Sequence, residues 1–378
     1  MTDTLGALVI GAGIGGLTTA IALQRAGCGV RVLERAPRLR PVGAGLTIQP
    51  NAVLALRELD LGRIETVGQP LHAAEIRDSR DRVLTSLDAA DAAALLADVG
   101  ALAIGIHRST LHTMLMAAAG DVVSLGTEVV ALNGREVVTA SGQRLEAPLI
   151  IGADGINSVV RASLFGQTPP RYSGYFCWRG VTTQSPFPAD WAGEFWGRGL
   201  RFGGCGIDDG RLYWFAVASG PSGGTGGIGD RFAGFPTEVR QAIAETSPTD
   251  ILRTDINDRD PIPHWGRGPV TLLGDAAHAM TPNLGQGACQ AIEDAVALGR
   301  AVARDGPTAQ ALRTYEAVRI TRANAVVRRS RAVGRIGQWR HPVATTIRDT
   351  AVRWTPDSVT RRQLARAWTL PAMVDRRE

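Results

Sequence analysis

The sequence contains no lysine: all 41 basic side chains among its 378 residues are arginine. Beside 45 glycines and abundant alanine, that absence reads as genomic composition bias rather than adaptation. Cysteine is scarce too. Cys28, Cys177, Cys205 and Cys289 lie far apart, with no C-x-x-C pair and no His/Cys spacing of a zinc site, so neither a disulfide framework nor a structural metal is expected. No apolar run reaches the roughly 18 residues of a membrane span. The opening MTDTLGALVIGAGIGG has an acid where a signal peptide needs positive charge, and a cytoplasmic location is expected. RNA-recognition and zinc-finger motifs are missing as well. The net charge of +5 therefore points to an anionic small molecule rather than to nucleic acid.

What is present suits an ordinary globular enzyme, with 44% hydrophobic and 20% charged residues. The length fits one large domain or two intertwined ones. Ala7 to Ile10 form a short apolar run, and GAGIGG follows at once. Helical spacing then places Ile14, Leu17 and Ile21 on one face until Gly27, and the next apolar run, GVRVLE, ends on Glu34. Strand, glycine turn, helix, strand and acid make a Rossmann dinucleotide unit. Gly11 permits the tight turn, Gly13 lets backbone N–H groups approach a pyrophosphate, and Gly16 lets helix and strand pack. Glu34 can accept hydrogen bonds from an adenosine ribose, which leaves NAD and FAD both open.

Context, not spacing, carries that reading. With 45 glycines, about 0.6 chance matches to G-x-G-x-x-G are expected in a chain this long. Gly224, Gly226 and Gly229 in SGGTGGIGD are such a match, but no second strand ending on an acid follows, and the segment reads as a flexible surface loop.

Two further stretches choose between the cofactors. PLIIGADGINSVVR, Pro148 to Arg161, ends an apolar strand on Asp154 and Gly155, and GDAAHAMTPNLGQGACQAIEDA, Gly274 to Ala295, ends another on Asp275 before a glycine-rich bend and a helix. Taken in order with the GxGxxG unit, they resemble the single-component FAD-dependent aromatic hydroxylases, the p-hydroxybenzoate hydroxylase-like flavoprotein monooxygenases. RPVGAGLTIQPNA (Arg40 to Ala52), HRSTLHTML (His107 to Leu115), CWRGV (Cys177 to Val181), GEFWGRGLRFG (Gly193 to Gly203) and VGRIGQW (Val333 to Trp339) resemble the branch containing urate hydroxylase and the 2-alkyl-4-quinolone 3-monooxygenases.

The resemblance implies an α/β protein in which a Rossmann-type FAD-binding domain (residues 1–72, 101–170 and 265–335) is interleaved with an antiparallel-sheet substrate domain (73–100 and 171–264). C-terminal helices (336–378) should pack back on the FAD domain rather than serve a membrane surface. It implies FAD contacts at Gly11, Gly13, Ile14, Gly15, Gly16, Glu34, Arg35, Gly45, Arg108, Val129, Asp154, Asp275, Pro282, Gly285 and Gly287. Within this set Asp275 would hold the ribitol, Arg108 the pyrophosphate or ribose region, and the bend from Pro282 to Gly287 the anionic edge of the reduced ring. Asp154 and its neighbours would also serve the passing NAD(P)H. Arg201 and Tyr213 would face the reacting ring, and His278 is expected to be structural.

The implied reaction consumes NAD(P)H and O₂ and hydroxylates an aromatic or heteroaromatic ring through a flavin C4a-hydroperoxide. A 2-alkyl-4-quinolone attacked at C3 is the favoured substrate, its chain lying along Phe195, Trp196, Phe202 and Phe215. A small phenolic acid or urate-like substrate, a flavin dehydrogenase or oxidase without oxygen insertion, and a non-catalytic flavin-binding protein are the alternatives. The chain is expected to be a monomer or homodimer.

Overall fold

The computed structural model describes residues 5–38, 44–224 and 226–369. Residues 40–43 of the RPVGAG stretch and 370–378 of the expected C-terminal segment lie outside the described residues.

Short β-branched runs build a six-stranded sheet in the order Gly266–Arg267, Val270–Leu272, Leu149–Gly152, Leu5–Ile10, Gly29–Leu33, Val123–Ser124. It is parallel except for the terminal pairing of Gly266–Arg267 with Val270–Leu272. Parallel strands bury both faces, which is why Leu8, Val9, Ile150 and Ile151 are all fully inaccessible. The helices Ile14–Arg25 and Gly287–Asp305 pack side by side on this sheet, close enough that a Cβ on Gly299 would lie 2.9 Å from that of Ala22.

Alternating patterns build a seven-stranded sheet in the order Leu252–Asp258, Arg171–Val181, Leu212–Ser219, Leu200–Gly206, Trp191–Trp196, Ala73–Asp78, Val83–Leu87. Its pairings are antiparallel except that of Ala73–Asp78 with Trp191–Trp196, so the expected antiparallel sheet is in fact mixed. Period-two alternation sends Phe176, Trp178, Phe195, Phe202 and Trp214 to one face, where the helices Ile228–Phe232 and Thr237–Glu245 cover them. Cys177, Tyr213, Phe215 and Val217 point the other way.

That second face meets a small three-stranded sheet, Gly45–Ile48, Ala103–His107 and Gln69–Leu71, and the contact requires glycine. A Cβ on Gly45 would lie 2.3 Å from that of Tyr213, and one on Gly105 would lie 2.0 Å from the Gly206 carbonyl oxygen. The long helix Ala309–Gly337 then crosses behind the helix Gly287–Asp305, and Pro342–Arg353 and Asp357–Trp368 complete the described chain. None of the described helices is long and apolar enough to cross a membrane.

Candidate functional site: a glycine-edged cradle between two aspartates

The glycines of the first turn divide by what surrounds them. Gly11 has φ +103°, and a Cβ there would lie 2.6 Å from the Ala153 carbonyl oxygen. A Cβ on Gly16 would lie 1.9 Å from the Gly11 oxygen, and one on Gly15 2.9 Å from Leu273. These three serve packing. Gly13 differs: it is exposed, sits at φ −70° and ψ 179°, and a Cβ would meet nothing within 4 Å. It is the N-cap of its helix, has no side-chain cap, and precedes the buried Ile14. The helix N-terminus therefore offers N–H groups and a positive dipole end to whatever lies outside.

Glu34 accepts from Ala12 N at 2.8 Å and Ala36 N at 2.9 Å, tying the glycine turn to the end of the second strand, with Arg35 exposed beside it. His112 holds the same turn from the other side, its Nε2 2.7 Å from the Ala12 oxygen. Val129 is buried in the core of this half.

Asp154 follows the strand Leu149–Gly152. One carboxylate oxygen caps the helix Val159–Phe165, accepting from Val159 N at 2.7 Å. The other, Oδ1, is buried without a partner. Burial pushes this carboxyl upward against the opposing pull of Ser158 and the helix amides. An orphaned buried oxygen beside a turn is a fitting acceptor for a ligand donor.

Asp275 opens the short helix Asp275–His278. It reaches solvent, yet protein surrounds it closely enough that burial raises its carboxyl, with the charges of His278 and Arg108 pulling downward. Arg108 is exposed at the start of the helix Arg108–Ala119. Next comes the bend. Pro282–Leu284 is a tight turn, Gly285 sits at φ +62°, and Gln286 caps the 19-residue helix Gly287–Asp305 with no side-chain hydrogen bond. Pro282 and Gly285 are exposed, and nothing stands within 4 Å of a Cβ on Gly287.

Behind the bend lies a buried charge network that gave no local signal in the sequence. Arg319, on the crossing helix, pairs with Glu293 and, at 2.7 Å, with Asp294. His278 Nε2 lies 2.6 Å from Asp294, and Arg322 bonds Glu293 at 2.9 Å. Asn51 joins Glu293 to Gln286, the cap of the bend. Burial acts to raise both carboxylates, but Arg319 and Arg322 at Glu293, and His278 with Arg319 at Asp294, outweigh it and hold them below the usual range. His278, read as structural from the sequence, is completely enclosed here.

Arg201 and Tyr213 share a sheet face but are not neighbours. Arg201 pairs with Val217 and Tyr213 with Cys205, a separation of four register positions, or roughly 13 Å. Arg201 is 1% exposed. It donates to the Asn283 side-chain oxygen and to Glu194 at 3.3 Å, and a Cβ on Gly337 would lie 3.1 Å from its guanidinium. Asn283, which the sequence reading missed inside its own motif, donates in turn to the Tyr175 hydroxyl and Thr281 Oγ1, both at 2.8 Å. Tyr213 faces the Gly45 strand; burial drives its phenol strongly upward, against Arg179. Phe195 and Phe202 lie on the opposite face, in the core with Trp214, because their odd–even position points them away from Arg201. They line no channel on the Arg201 side, and Phe195 instead borders a separate cavity with Phe187 and Trp191; Trp196 and Phe215 stay on the Arg201 side.

Below Asp154 a cavity of about 650 Å³ is lined by Asn157, Ser158, Arg161, Thr168 and Arg259. Arg161 donates to the Ala276 and Ala277 oxygens at 3.0 Å, Arg259 to the Ile156 and Thr168 oxygens at 2.6 Å, and among the described residues neither meets a carboxylate. Burial and the charge of Arg259 both lower Arg161. Just before Gly224, Gly223 N donates to Asp255 at 2.9 Å, and Gly229 lies within the five-residue helix Ile228–Phe232. Among the described residues, no group of three or more His, Cys, Asp or Glu is placed to hold a metal ion.

An extended cradle results: a glycine helix terminus at one end, two aspartates along its length, and an open helix terminus at the other. It fits a dinucleotide that carries a ring with an anionic edge. The family model described as FAD binding domain matches residues 4–330, and the chain belongs to that family. It is 42% identical over 381 residues to the aurachin C monooxygenase/isomerase of Stigmatella aurantiaca, covering 96% of this chain and 99% of that protein. It is 33% identical over 380 residues to the 2-heptyl-3-hydroxy-4(1H)-quinolone synthase of Pseudomonas aeruginosa, covering 96% and 97%. The crystal structure of Klebsiella pneumoniae HpxO complexed with FAD and uric acid superposes with a TM-score of 0.88 at 31% identity, over 96% of each chain.

Proposed function

We propose that this chain is an NAD(P)H-consuming FAD monooxygenase that hydroxylates an electron-rich heteroaromatic ring of the 4-quinolone class. The family and the full-length similarity to an aurachin C monooxygenase/isomerase and to a 2-heptyl-3-hydroxy-4(1H)-quinolone synthase support the reading. The observation that carries it is the bridge from the substrate sheet to the flavin bend, Arg201 to Asn283. The bound flavin supplies the hard chemistry, reduction of dioxygen and delivery of one oxygen atom.

The chain's own residues bind, orient and exclude water. Gly13 and the amides behind it hold the pyrophosphate, Glu34 the adenosine ribose, and Asp275 with Arg108 the ribitol and its phosphates. Asp154 Oδ1 supplies a further acceptor, and the N–H groups beside Gly285 and Gly287 meet the anionic ring edge. The surrounding contacts of Gly11, Ile14, Gly15, Gly16, Arg35, Gly45, Val129 and Pro282 shape that cradle. Arg161 and Arg259, two guanidiniums without a carboxylate, would receive the phosphates of NAD(P)H in the cavity below Asp154.

Every nitrogen of Arg201 is engaged by protein once the Gln338 amide takes the orientation that accepts from Arg201 Nε at 3.2 Å. Arg201 is therefore a positioning residue that fixes Asn283 and the bend. Tyr213, kept protonated by burial, is a neutral donor toward the ring system. An enaminone such as a 4-quinolone is nucleophilic at C3 without losing a proton, so the site can work without a general base. Tyr175, Val217, Ile256 and Phe215 give the Arg201 face an apolar wall for an alkyl chain.

The test is NAD(P)H consumption and product mass with 2-alkyl-4-quinolones of increasing chain length beside salicylate and urate. Each buried CH₂ should tighten binding about fourfold until the wall ends. Turnover of salicylate or urate with none of the quinolones removes the substrate reading and leaves the family intact.

A further inference from the structure

The C-terminal helices carry a surface that the flavin chemistry does not use. Among the described residues, six of the ten exposed large hydrophobic side chains fall in one stretch: Ile336, Trp339, Val343, Ile347, Trp354 and Val359. The helix Pro342–Arg353 explains the grouping. Its inner side is anchored, with Thr345 and Arg348 buried and Arg348 donating to the Gly197 and Gly337 oxygens and lying over the Trp196 ring. Its outer side presents Val343 and Ile347, each 60% exposed, in line with Trp354 at 80%. Spacings of four and seven residues put all three on one face.

Along this stretch of chain the exposed charge is mostly positive. Arg335, Arg340 and Arg353 are exposed, and among the described residues none of their side chains makes a hydrogen bond or ion pair. Between residues 331 and 356 the only acid is Asp349, already bonded to Arg348 at 2.7 Å. We propose that this face, Val343, Ile347 and Trp354 together with the exposed Arg335, Arg340 and Arg353 of the same stretch, docks the enzyme on the surface of an anionic lipid bilayer. A second copy is the poorer occupant, because a two-fold contact over the patch would set the unpaired arginines of one chain near those of the other. A bilayer surface matches all three components: acyl chains for Val343 and Ile347, the headgroup boundary for the Trp354 indole, and phosphates for the arginines. The sequence reading packs these helices on the FAD domain; Pro342–Arg353 packs instead on the strand Val83–Leu87 of the substrate sheet, and the outward direction of its side chains is visible only in the fold. The surface stands on its own geometry and does not depend on the substrate assigned above.

Flotation of the full-length FAD-loaded protein tests it, using phosphatidylcholine vesicles with and without 30% phosphatidylglycerol. The wild-type chain should float with the anionic vesicles at low salt and be released at 0.5 M salt. Ile347→Ser combined with Trp354→Ser should weaken partitioning at least tenfold. Replacing Arg335, Arg340 and Arg353 by Gln should weaken it about a hundredfold, near fivefold per charge. Turnover of a dissolved substrate should be unchanged in both variants. No binding of the wild-type chain to anionic vesicles, or binding that both variants retain, overturns the proposal. So does a wild-type dimer in solution that Ile347→Ser and Trp354→Ser dissolve, which would give the face to a second copy.

Discussion

Gly13 offers a clean separation of cofactor binding from folding. Its backbone lies at φ −70° and ψ 179°, a conformation open to any residue, and a Cβ would touch nothing within 4 Å. Gly13→Ala should therefore leave the apoprotein folded, at a cost of about 0.5 to 1 kcal/mol for a poorer helix cap. The added methyl occupies the space where the pyrophosphate must approach the amides. Losing one charge-assisted hydrogen bond there costs ~1.5 to 3 kcal/mol, so FAD affinity should fall about 10- to 150-fold. Gly16→Ala is the contrast, since its Cβ would lie 1.9 Å from the Gly11 oxygen and the fold itself should fail. The assay is flavin fluorescence titration of the apoprotein, with urea unfolding alongside. An FAD dissociation constant within threefold of wild type would show that this turn is not the pyrophosphate seat.

Other substitutions probe the rest of the site. Asp275→Ala should purify with far less flavin, and full occupancy measured by absorbance would remove its assigned role. Arg201→Ala should keep FAD yet lose coupling, with NAD(P)H oxidised to peroxide rather than product; unchanged coupling would make Arg201 purely structural. Arg319→Met removes the buried cation that Glu293 and Asp294 share, and urea unfolding should show a loss of ~3 to 5 kcal/mol. Both carboxylates are held low in the folded chain, so their contribution is present above the ordinary carboxyl range near pH 4 and is lost as pH falls through the lowered folded values. The acid limb of the stability profile should therefore be shallower in Arg319→Met than in wild type.

The residues that announced themselves in the sequence are those whose role is local. A glycine turn between strand and helix, an aspartate ending a strand and a glycine-rich bend each have a short-range signature, and the fold around them could be read from those. Contacts set by register could not. The alternation of LYWFAVA was plain, but only pairing tells which face meets the flavin half, and Phe195 and Phe202 were placed on the wrong side for that reason. Distance in sequence hid the rest. Arg319 and Asp294 are 25 residues apart on two helices, and each alone looks like a charge on a solvated face. Asn283 stood inside a motif already singled out, where its neighbours Pro282 and Gly285 drew the reading and its bond to Arg201 was invisible.

The central claim is that the chain inserts oxygen into a ring and does not merely oxidise a nicotinamide. Its most direct test is a single incubation of FAD-loaded protein with NAD(P)H, a 2-alkyl-4-quinolone and ¹⁸O₂, followed by mass spectrometry. The account predicts one ¹⁸O atom in the ring-hydroxylated product and NAD(P)H use that tracks its formation. NAD(P)H oxidation that yields only peroxide, or a product whose new oxygen comes from water, would contradict it.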